Sequence, residues 1–349
     1  MIKINTKDEY FMEIAIQEAI KGEDSVLPNP RVGAVIVSKG KIISKGFHQF
    51  FGGPHAEVYA LDKINNKMKD AVLYITLEPC SHSGKTGPCT DLITFPMISK
   101  VVMGSLDPNP LVNGNSIKIL NGRGITTKVG VLEKEVKKIN RHFFTFYEKK
   151  RPYVIIKYAT SLDGYISKSI GKSTVITGKE SKKSVHKLRA RCDGILVGRK
   201  TVQIDDPDLS SHGLGNNPRI VILGDKEKLN SNLKVFSKDP IFYSFLDTCK
   251  NSDSKNLEKE SLFNNIAPLL SKLYHEGMQS LLVEGGGETI TSFLMSGLFD
   301  EIHAYIAPKI FGSGVPLFTI GTKMDNLNLI VNSFTKFEND VRIVYKLDQ

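Results

Sequence analysis

The sequence contains no tryptophan, only four cysteines among 349 residues, and no long apolar run. Four cysteines without a secretory signal argue against a disulfide scaffold. The uninterrupted apolar runs, such as the one around Val35–Val37, are only a few residues long. A membrane span needs roughly 18 such residues, so we expect no membrane segment. The N-terminus, MIKINTKDEY, has neither an apolar signal core nor an Arg-rich transit pattern, which predicts a cytoplasmic protein.

Basic and acidic residues are spread along the chain, and no segment carries a cluster of one sign. The chain carries 47 basic and 37 acidic residues, a net charge of +10, with the lysines dispersed along it. Nucleic-acid-binding proteins usually show a clustered basic stripe, so we expect no nucleic-acid partner. The positive field would still attract a phosphorylated small molecule.

The length and an ordinary globular composition predict two domains. Helical and strand patterns alternate in both halves, which predicts α/β layered sheets. A charged segment with a proline, Glu148–Pro152, precedes a new apolar strand, so we place the domains at residues 1–148 and 149–349. The predicted elements that frame the motifs are helices 55–66, 89–96, 133–147 and 179–191, strands 71–77, 153–159 and 280–283, and a helix ending near 296.

A metal site is predicted where His55-Ala56-Glu57 is followed by Cys80 and Cys89. A catalytic zinc takes three protein ligands and keeps one position open for water, and His55, Cys80 and Cys89 supply that number. Zinc makes hydroxide available at neutral pH. Glu57, beside the metal, can take the water proton and pass it to a leaving amine, as in nucleobase deaminases.

Each part of this pattern is weak when it stands alone. A His-x-Glu tripeptide is common, and a pair of cysteines is more often buried as apolar side chains. Here the histidine falls at a predicted helix start, Cys80 at a strand end, and Cys89 at the next helix start. A structural zinc protein without catalysis is the alternative, and the presence of Glu57 favours the catalytic interpretation.

Three further motifs resemble those of a known family. Eight residues separate the two cysteines, where cytidine and tRNA-adenosine deaminases usually have two. This spacing, with Leu77–His82, Asp107–Pro110 and Pro28–Gly33, is similar to the bifunctional riboflavin-biosynthesis deaminase/reductase family over essentially the whole chain. The resemblance implies an N-terminal cytidine-deaminase-like α/β/α layered domain and a C-terminal dihydrofolate-reductase-like α/β domain.

The resemblance also implies an activity in two steps. The first is zinc-dependent hydrolytic deamination of 2,5-diamino-6-(5-phosphoribosylamino)pyrimidin-4(3H)-one. The second is reduction of the ribosyl chain by NADPH, which gives 5-amino-6-(5-phosphoribitylamino)uracil. We therefore expect one zinc per chain, NADPH as cofactor, a phosphorylated pyrimidine as substrate, and a homo-oligomer.

In the deaminase half, the resemblance places Asn29 in the pyrimidine pocket. We interpret His82 as a pocket or loop histidine and not as a fourth ligand, because the open position must hold water. The chain departs from the family at Gly87, where a proline is usual. It departs again at Asn115 and Ser116, where a basic residue and a glycine are usual.

In the reductase half, the resemblance assigns the cofactor site to Ala159, Val175, Thr201, Asp205, Gly286 and Gly287. It assigns the ribose-phosphate side of the substrate site to Ser173, Arg189, Leu209, His212 and Glu284. It assigns the reacting end to Lys157 and Asp163. The chain departs from the family at two of these positions. Val175 stands where a tryptophan is usual, and His212 stands where an arginine is usual. Histidine reaches less far than a guanidinium and loses its charge near neutral pH.

Two other functions stay open at this point. One is an RNA- or nucleoside-acting zinc deaminase with a non-reductase accessory domain, and the other is a chain in which only the deaminase half works. The sequence leaves open the preference for NADPH over NADH, the number of subunits, and whether an intermediate passes between the sites.

Overall fold

The structure, a computed structural model, describes residues 4–64, 68–81, 87–244, 266–318 and 326–347. The chain divides into two compact units, Met1–Lys149 and Lys150–Gln349. His82 and Cys249 lie outside the described residues. Across the described part of the chain, no helix combines the length and the apolar character that crossing a membrane would require.

The first unit is built on a five-stranded sheet in the order β2-β1-β3-β4-β5. Its strands are β1 (Gly33–Ser38), β2 (Lys41–Phe47), β3 (Ala71–Leu77), β4 (Ile98–Ser105) and β5 (Thr126–Lys128). Its helices are α1 (Lys7–Ile20), α2 (Ala56–Leu61), α3 (Cys89–Leu92), α4 (Asn115–Gly122), α5 (Glu133–Ile139) and α6 (Arg141–Lys149). Strand β1 is antiparallel to both neighbours, whereas β3, β4 and β5 run parallel.

Both faces of this sheet are covered, because successive strand side chains point to opposite sides. Ala34 and Ile36 of β1 pack in the cluster that includes Ala60 of α2. Val35 and Val37 pack in the cluster that includes residues of α1 and α5. The α/β/α layering expected from the sequence is confirmed.

One predicted helix is broken in two. The sequence predicts a single helix over 133–147, but α5 ends at Ile139 and α6 begins at Arg141. Between them, the Asn140 side chain accepts from the Arg31 backbone amide at 2.8 Å and donates to the Arg31 carbonyl oxygen at 2.9 Å. Bonds between an asparagine side chain and distant backbone compete with helix continuation, so the prediction of one continuous helix is wrong.

The second unit contains an eight-stranded sheet in the order β10-β9-β8-β11-β6-β12-β15-β14 and a small two-stranded sheet of β7 and β13. The strands are β6 (Tyr153–Thr160), β7 (Tyr165–Ser167), β8 (Gly194–Gly198), β9 (Arg219–Leu223), β10 (Ile241–Tyr243), β11 (Ser280–Val283), β12 (Glu301–Ile306), β13 (Val315–Pro316), β14 (Leu329–Phe337) and β15 (Asp340–Leu347). The α-helices are α7 (Lys179–Ala190), α8 (Arg199–Asp205), α9 (Ile266–His275) and α10 (Gly287–Ser296).

The chain path of this sheet creates a crevice between β8 and β11. Strand β8 continues through α8 to β9 on one side. Strand β11 continues through α10 to β12 on the other side, and β8 and β11 pair in parallel. Connections that leave adjacent strands in opposite directions open a crevice at the carboxyl ends of those strands, where α/β proteins bind their ligands.

Candidate active sites

The three predicted metal ligands meet at one point in the first unit. His55 is the N-cap residue of α2, Cys80 follows β3, and Cys89 is the first residue of α3. His55 Nδ1 lies 3.2 Å from Cys89 Sγ and 3.5 Å from Cys80 Sγ. One imidazole nitrogen and two sulfur atoms converging within 4.8 Å form a donor set that suits zinc.

The two sulfur atoms also interact with each other. A hydrogen bond with the Cys89 thiol and the nearby His55 ring lower the pKa of Cys80 to about 4. The Cys89 backbone N–H donates to Cys80 Sγ at 3.2 Å. Cys80 is therefore prepared to act as a thiolate, the form in which cysteine binds metals.

Glu57 lies in the first turn of α2 and is only 2% exposed. Burial raises the pKa of its carboxyl group, while the neighbouring His55 opposes that rise. Glu57 does not belong to the metal-ligand cluster found among the described residues. A buried carboxyl group beside a metal donor set is placed to exchange protons with a bound molecule.

His48, which the sequence analysis missed, orients Asn29. The His48 Nδ1 atom lies 2.9 Å from the Pro54 carbonyl oxygen, which can only accept, so Nδ1 carries the proton. Burial lowers the pKa of His48 and keeps it neutral, so its Nε2 accepts from Asn29 Nδ2 at 3.2 Å. The His48 ring also meets the His55 ring edge-to-face at 5.6 Å. The sequence feature that could have indicated this role is the position of His48 directly after β2.

Glu78, also missed as a site residue, holds the loop that leads into α4. Its buried carboxylate accepts from the backbone amides of Asp107, Gly114 and Ser116 at 3.0–3.3 Å and from the Ser116 hydroxyl at 2.7 Å. Ser116 stands where the resembling family has glycine, and its hydroxyl adds a donor to this network. Burial raises the pKa of Asp107 to about 7, with Glu78 and Cys80 contributing.

In the second unit, a cavity of about 630 Å³ lies at the crevice between β8 and β11. Five residues predicted for the reductase site line it: Ser173, Thr201, Asp205, Gly286 and Gly287. The Gly286 N–H donates to Thr201 Oγ1 at 3.2 Å. This hydrogen bond links the loop after β11 to helix α8. Burial raises the pKa of Asp205, and the nearby Ser173 hydroxyl opposes that rise.

The glycine triplet after β11 has two different roles. A Cβ at Gly285 would lie 2.5 Å from Thr289 Cβ, and one at Gly287 would lie 2.6 Å from the Leu317 carbonyl oxygen. These two positions need glycine for packing. A Cβ at Gly286 would meet nothing closer than Thr201 Oγ1 at 3.5 Å, so Gly286 offers its backbone to the cavity.

A second group of predicted residues forms a buried charge network. Glu284 follows β11 and accepts from Lys157 Nζ at 3.2 Å and from Arg189 Nε and Nη2 at 2.8 and 3.1 Å. Burial opposes its ionisation, but Lys157 and Arg189 prevail and lower the pKa of Glu284 to about 2. Next to this network the rings of His186 and His212 stack at 4.0 Å between centroids.

The remaining predicted reductase residues lie elsewhere in the unit. Ala159 is on β6 and Val175 is 67% exposed, and neither is among the residues that line the 630 Å³ cavity. The Asp163 carboxylate accepts from the backbone amides of Phe311 and Gly312. Leu209 packs in the apolar core of the unit.

Comparison with known proteins identifies the family of this chain. The family model of the RibD C-terminal domain matches residues 152–343, and that of the cytidine and deoxycytidylate deaminase zinc-binding region matches residues 5–105. The riboflavin biosynthesis protein RibD of Aquifex aeolicus is 39% identical, over 97% of this chain and 98% of that protein. The chain belongs to the RibD family.

Solved structures of RibD proteins share the fold over the full length. Acinetobacter baumannii RibD is 30% identical with a TM-score of 0.84, covering 98% of this chain and 99% of that one. A Thermotoga maritima protein described as a diaminohydroxyphosphoribosylaminopyrimidine deaminase/5-amino-6-(5-phosphoribosylamino)uracil reductase is 37% identical with a TM-score of 0.80, at the same coverage.

Membership of the RibD family confirms the resemblance stated from the sequence. The chain is a bifunctional riboflavin-biosynthesis enzyme with a deaminase and a reductase domain. Its N-terminal half carries a zinc-binding deaminase region, and its fold is the expected pair of α/β domains. An RNA-acting deaminase with a non-reductase accessory domain is not favoured, because the second half matches the RibD C-terminal domain.

Proposed function

We propose that residues 1–148 deaminate 2,5-diamino-6-(5-phosphoribosylamino)pyrimidin-4(3H)-one and that residues 149–349 reduce the product with NADPH. The observation that carries this proposal is the convergence of His55, Cys80 and Cys89 beside buried Glu57 in a RibD-family chain. The substrate is the one for which the similar Thermotoga maritima protein is named. Cytoplasmic location and homo-oligomeric assembly stay predictions.

In the deaminase site, His55, Cys80 and Cys89 would hold one zinc ion. Zinc bound there supplies hydroxide at neutral pH. Glu57 accepts the proton from the water and gives it to the leaving amine, so that water and the amino group become a carbonyl oxygen and ammonia. Because His48 accepts from one of the two Asn29 amide N–H groups and so fixes the orientation of the amide, Asn29 Oδ1 is free to accept from an N–H group of the pyrimidine.

In the reductase site, the cavity lined by Thr201, Asp205, Gly286 and Gly287 would hold NADPH, and Ser173, predicted for the substrate, lines the same cavity. NADPH supplies the hydride, and the protein supplies position and charge. Lys157 and Arg189, both fixed by Glu284, bind the phosphorylated ribose chain. We also propose the other family-implied residues, Ala159, Val175, Leu209 and Asp163, as part of this site or its supporting loops.

The test is to incubate the full chain with the diaminopyrimidine phosphate and to identify products by mass spectrometry. Without NADPH, the expected product has one NH replaced by O. With NADPH, it also gains two hydrogen atoms. A substrate that stays unchanged under both conditions would contradict the proposal.

The stacked histidines predict pH-dependent substrate binding in the reductase. Burial and the neighbouring His212 and Arg189 lower the pKa of His186, so this ring is neutral until a dianion approaches. The other charged groups around the pair are Lys157, Glu284 and Asp208. A bound phosphate favours imidazolium, and the KM for the phosphorylated substrate is therefore expected to rise as pH increases from about 6 to 8.

The variant His212→Arg carries a permanent charge and is expected to flatten this pH profile of KM. His212→Ala provides the matched control, and steady-state kinetics of the reductase on deaminated substrate measures both. If wild type and His212→Ala show the same KM across the pH range, His212 does not contact the phosphate.

A further inference from the structure

Helix α7, which carries His186 and Arg189, begins without a cap from its own residues. Its N-cap residue is Gly178, which has no side chain to accept from the first turn. Asp340, the first residue of β15, supplies that acceptor from 162 positions further along the chain. Its Oδ2 accepts from the Gly178 N–H and from the Ser181 hydroxyl, each at 2.7 Å.

The contact between Asp340 and the start of α7 is shielded from water. Asp340 is 6% exposed and Ser181 is completely buried, so solvent competes weakly for the two hydrogen bonds. A carboxylate at the start of a helix also interacts favourably with the helix dipole. A Cβ built on Gly178 would lie only 3.6 Å from Asp340 Oδ2, which shows how directly the carboxylate is seated on the helix.

A second contact ties the middle of α7 to the same part of the sheet. The Ser184 hydroxyl lies 2.9 Å from the hydroxyl of Tyr305, a fully buried residue of β12. Arg342 of β15 donates from Nη1 to Ser184 Oγ at 3.3 Å. Because Asp340 and Arg342 are two residues apart on one strand, they lie on the same face of the sheet, which is the face that α7 covers.

The far end of α7 reaches the predicted substrate residues. Arg189 donates to Glu284 after β11, and the His186 ring stacks on His212. In the sheet, the strands follow in the order β11-β6-β12-β15. The contacts of α7 therefore run from β15 past β12 to the end of β11. A shift of the helix along this path would displace His186 and Arg189 together.

We propose that Asp340 is a positioning residue of the reductase. Its carboxylate fixes where α7 starts, and thereby where the helix presents His186 and Arg189 to the phosphorylated ribose chain. The proposal rests on the proposed reductase function, because it assigns a support for the substrate contacts proposed there. Asp340 acts through the helix and is not among the residues that line the 630 Å³ cavity.

Asp340→Ala removes both hydrogen bonds and tests the assignment in the full chain. Steady-state kinetics with saturating NADPH should show the KM for deaminated substrate raised about 3- to 30-fold, the factor that corresponds to loss of one helix cap. The KM for NADPH and the kcat should stay close to those of wild type, because other elements line the cofactor cavity. A merely structural role would instead reduce the active fraction, and with it kcat, at constant KM.

Two further variants separate the hydrogen bonds from the charge. Asp340→Asn keeps an oxygen that can accept both hydrogen bonds, so its KM should return close to the wild-type value. Glu338→Gln is the matched control, because it changes an exposed carboxylate whose Oε2 would lie 3.7 Å from a Cβ at Gly178. Its KM should be unchanged. Thermal melting of each variant checks that the fold is retained, and deamination provides an internal control.

A double-mutant cycle with His186→Ala shows whether Asp340 acts through α7. Sites that act independently have additive effects on the free energy of binding. If the cap works by placing His186, the KM rise in the double variant should be smaller than the product of the two single rises. Should Asp340→Ala not fold, Ser181→Ala removes one of the two hydrogen bonds and replaces it in every comparison, with a smaller KM rise expected.

Four results would overturn the assignment. They are an unchanged KM in Asp340→Ala, a fall in kcat at constant KM, an equal KM rise in Glu338→Gln, and full additivity with His186→Ala. Each of these leaves the reductase function standing if wild type oxidises NADPH with the deaminated substrate. If wild type oxidises no NADPH with that substrate, the proposed reductase function fails, and the assignment of Asp340 fails with it.

Discussion

Glu57→Gln is expected to lower the deaminase turnover by about 10²- to 10⁴-fold, the range that a positioned acid–base group contributes. Glutamine preserves the size of the side chain and can hydrogen-bond, but it cannot take a proton from water. Glu57 is almost fully buried in the first turn of α2, beside the three metal donors, and burial raises the pKa of its carboxyl group. Ammonia release from the diamino substrate measures the effect.

The second domain provides the internal control for this variant. Reduction of substrate that has already been deaminated should proceed at the wild-type rate, and zinc content should stay near one per chain. Glu135→Gln, which changes a partly exposed carboxylate of α5, should leave both activities unchanged. Near-normal ammonia release from Glu57→Gln would contradict the proton-transfer role.

The second large effect concerns the metal ligands. Cys89→Ser is expected to lower zinc content from about one ion per chain to well below that, because a hydroxyl is a much weaker zinc ligand than a thiolate. Cys89 Sγ lies 3.2 Å from His55 Nδ1, and its backbone N–H contacts Cys80. Elemental analysis of the purified protein measures the metal, and deamination should be lost with it.

Cys192→Ala is the matched control for the metal. Cys192 is also buried, but it packs in an apolar cluster of the second unit. Alanine avoids placing an unpaired hydroxyl in that cluster. Zinc content should be unchanged in Cys192→Ala, and an unchanged content in Cys89→Ser would show that the ligand set is wrong.

The metal donors could be predicted from the sequence because each lies at the end of a strongly patterned element. His55 begins α2, Cys80 follows β3, and Cys89 begins α3. Strand β3 is apolar except at Thr76, so its end is easy to locate. At these positions the local hydrophobic pattern marks the end of an element, and the residue type there is one that binds zinc. The structure brings the three residues together.

The residues that support the donors could not be found in this way. His48 and Glu78 act through contacts with partners 19 to 38 residues away, and nothing in local periodicity reports such pairs. The break at Asn140 has the same origin, because its partner Arg31 is 109 residues away. Helix α8 and the pairing of β7 with β13 were also missed, since both are short and are fixed by tertiary contacts.

In the reductase site, only some of the residues that line the cavity belong to a recognisable sequence motif. The glycine triplet alone is a weak signal, yet Gly286 and Gly287 line the cavity, while Gly285 and Gly287 leave no room for a side chain. Arg199 did not appear in any motif, although it follows directly after β8. It lines the cavity, and its side chain lies against Gly224, which comes close because β8 and β9 pair.

The proposed function requires that one chain deaminates the substrate before it reduces it. A time course with the diaminopyrimidine phosphate and NADPH, recording ammonia and NADP⁺ together, tests this most directly. The account predicts that ammonia appears first and that the two products reach equal final amounts, whereas Glu57→Gln releases neither at a comparable rate. NADPH oxidation that proceeds on the diamino substrate without ammonia release would contradict it.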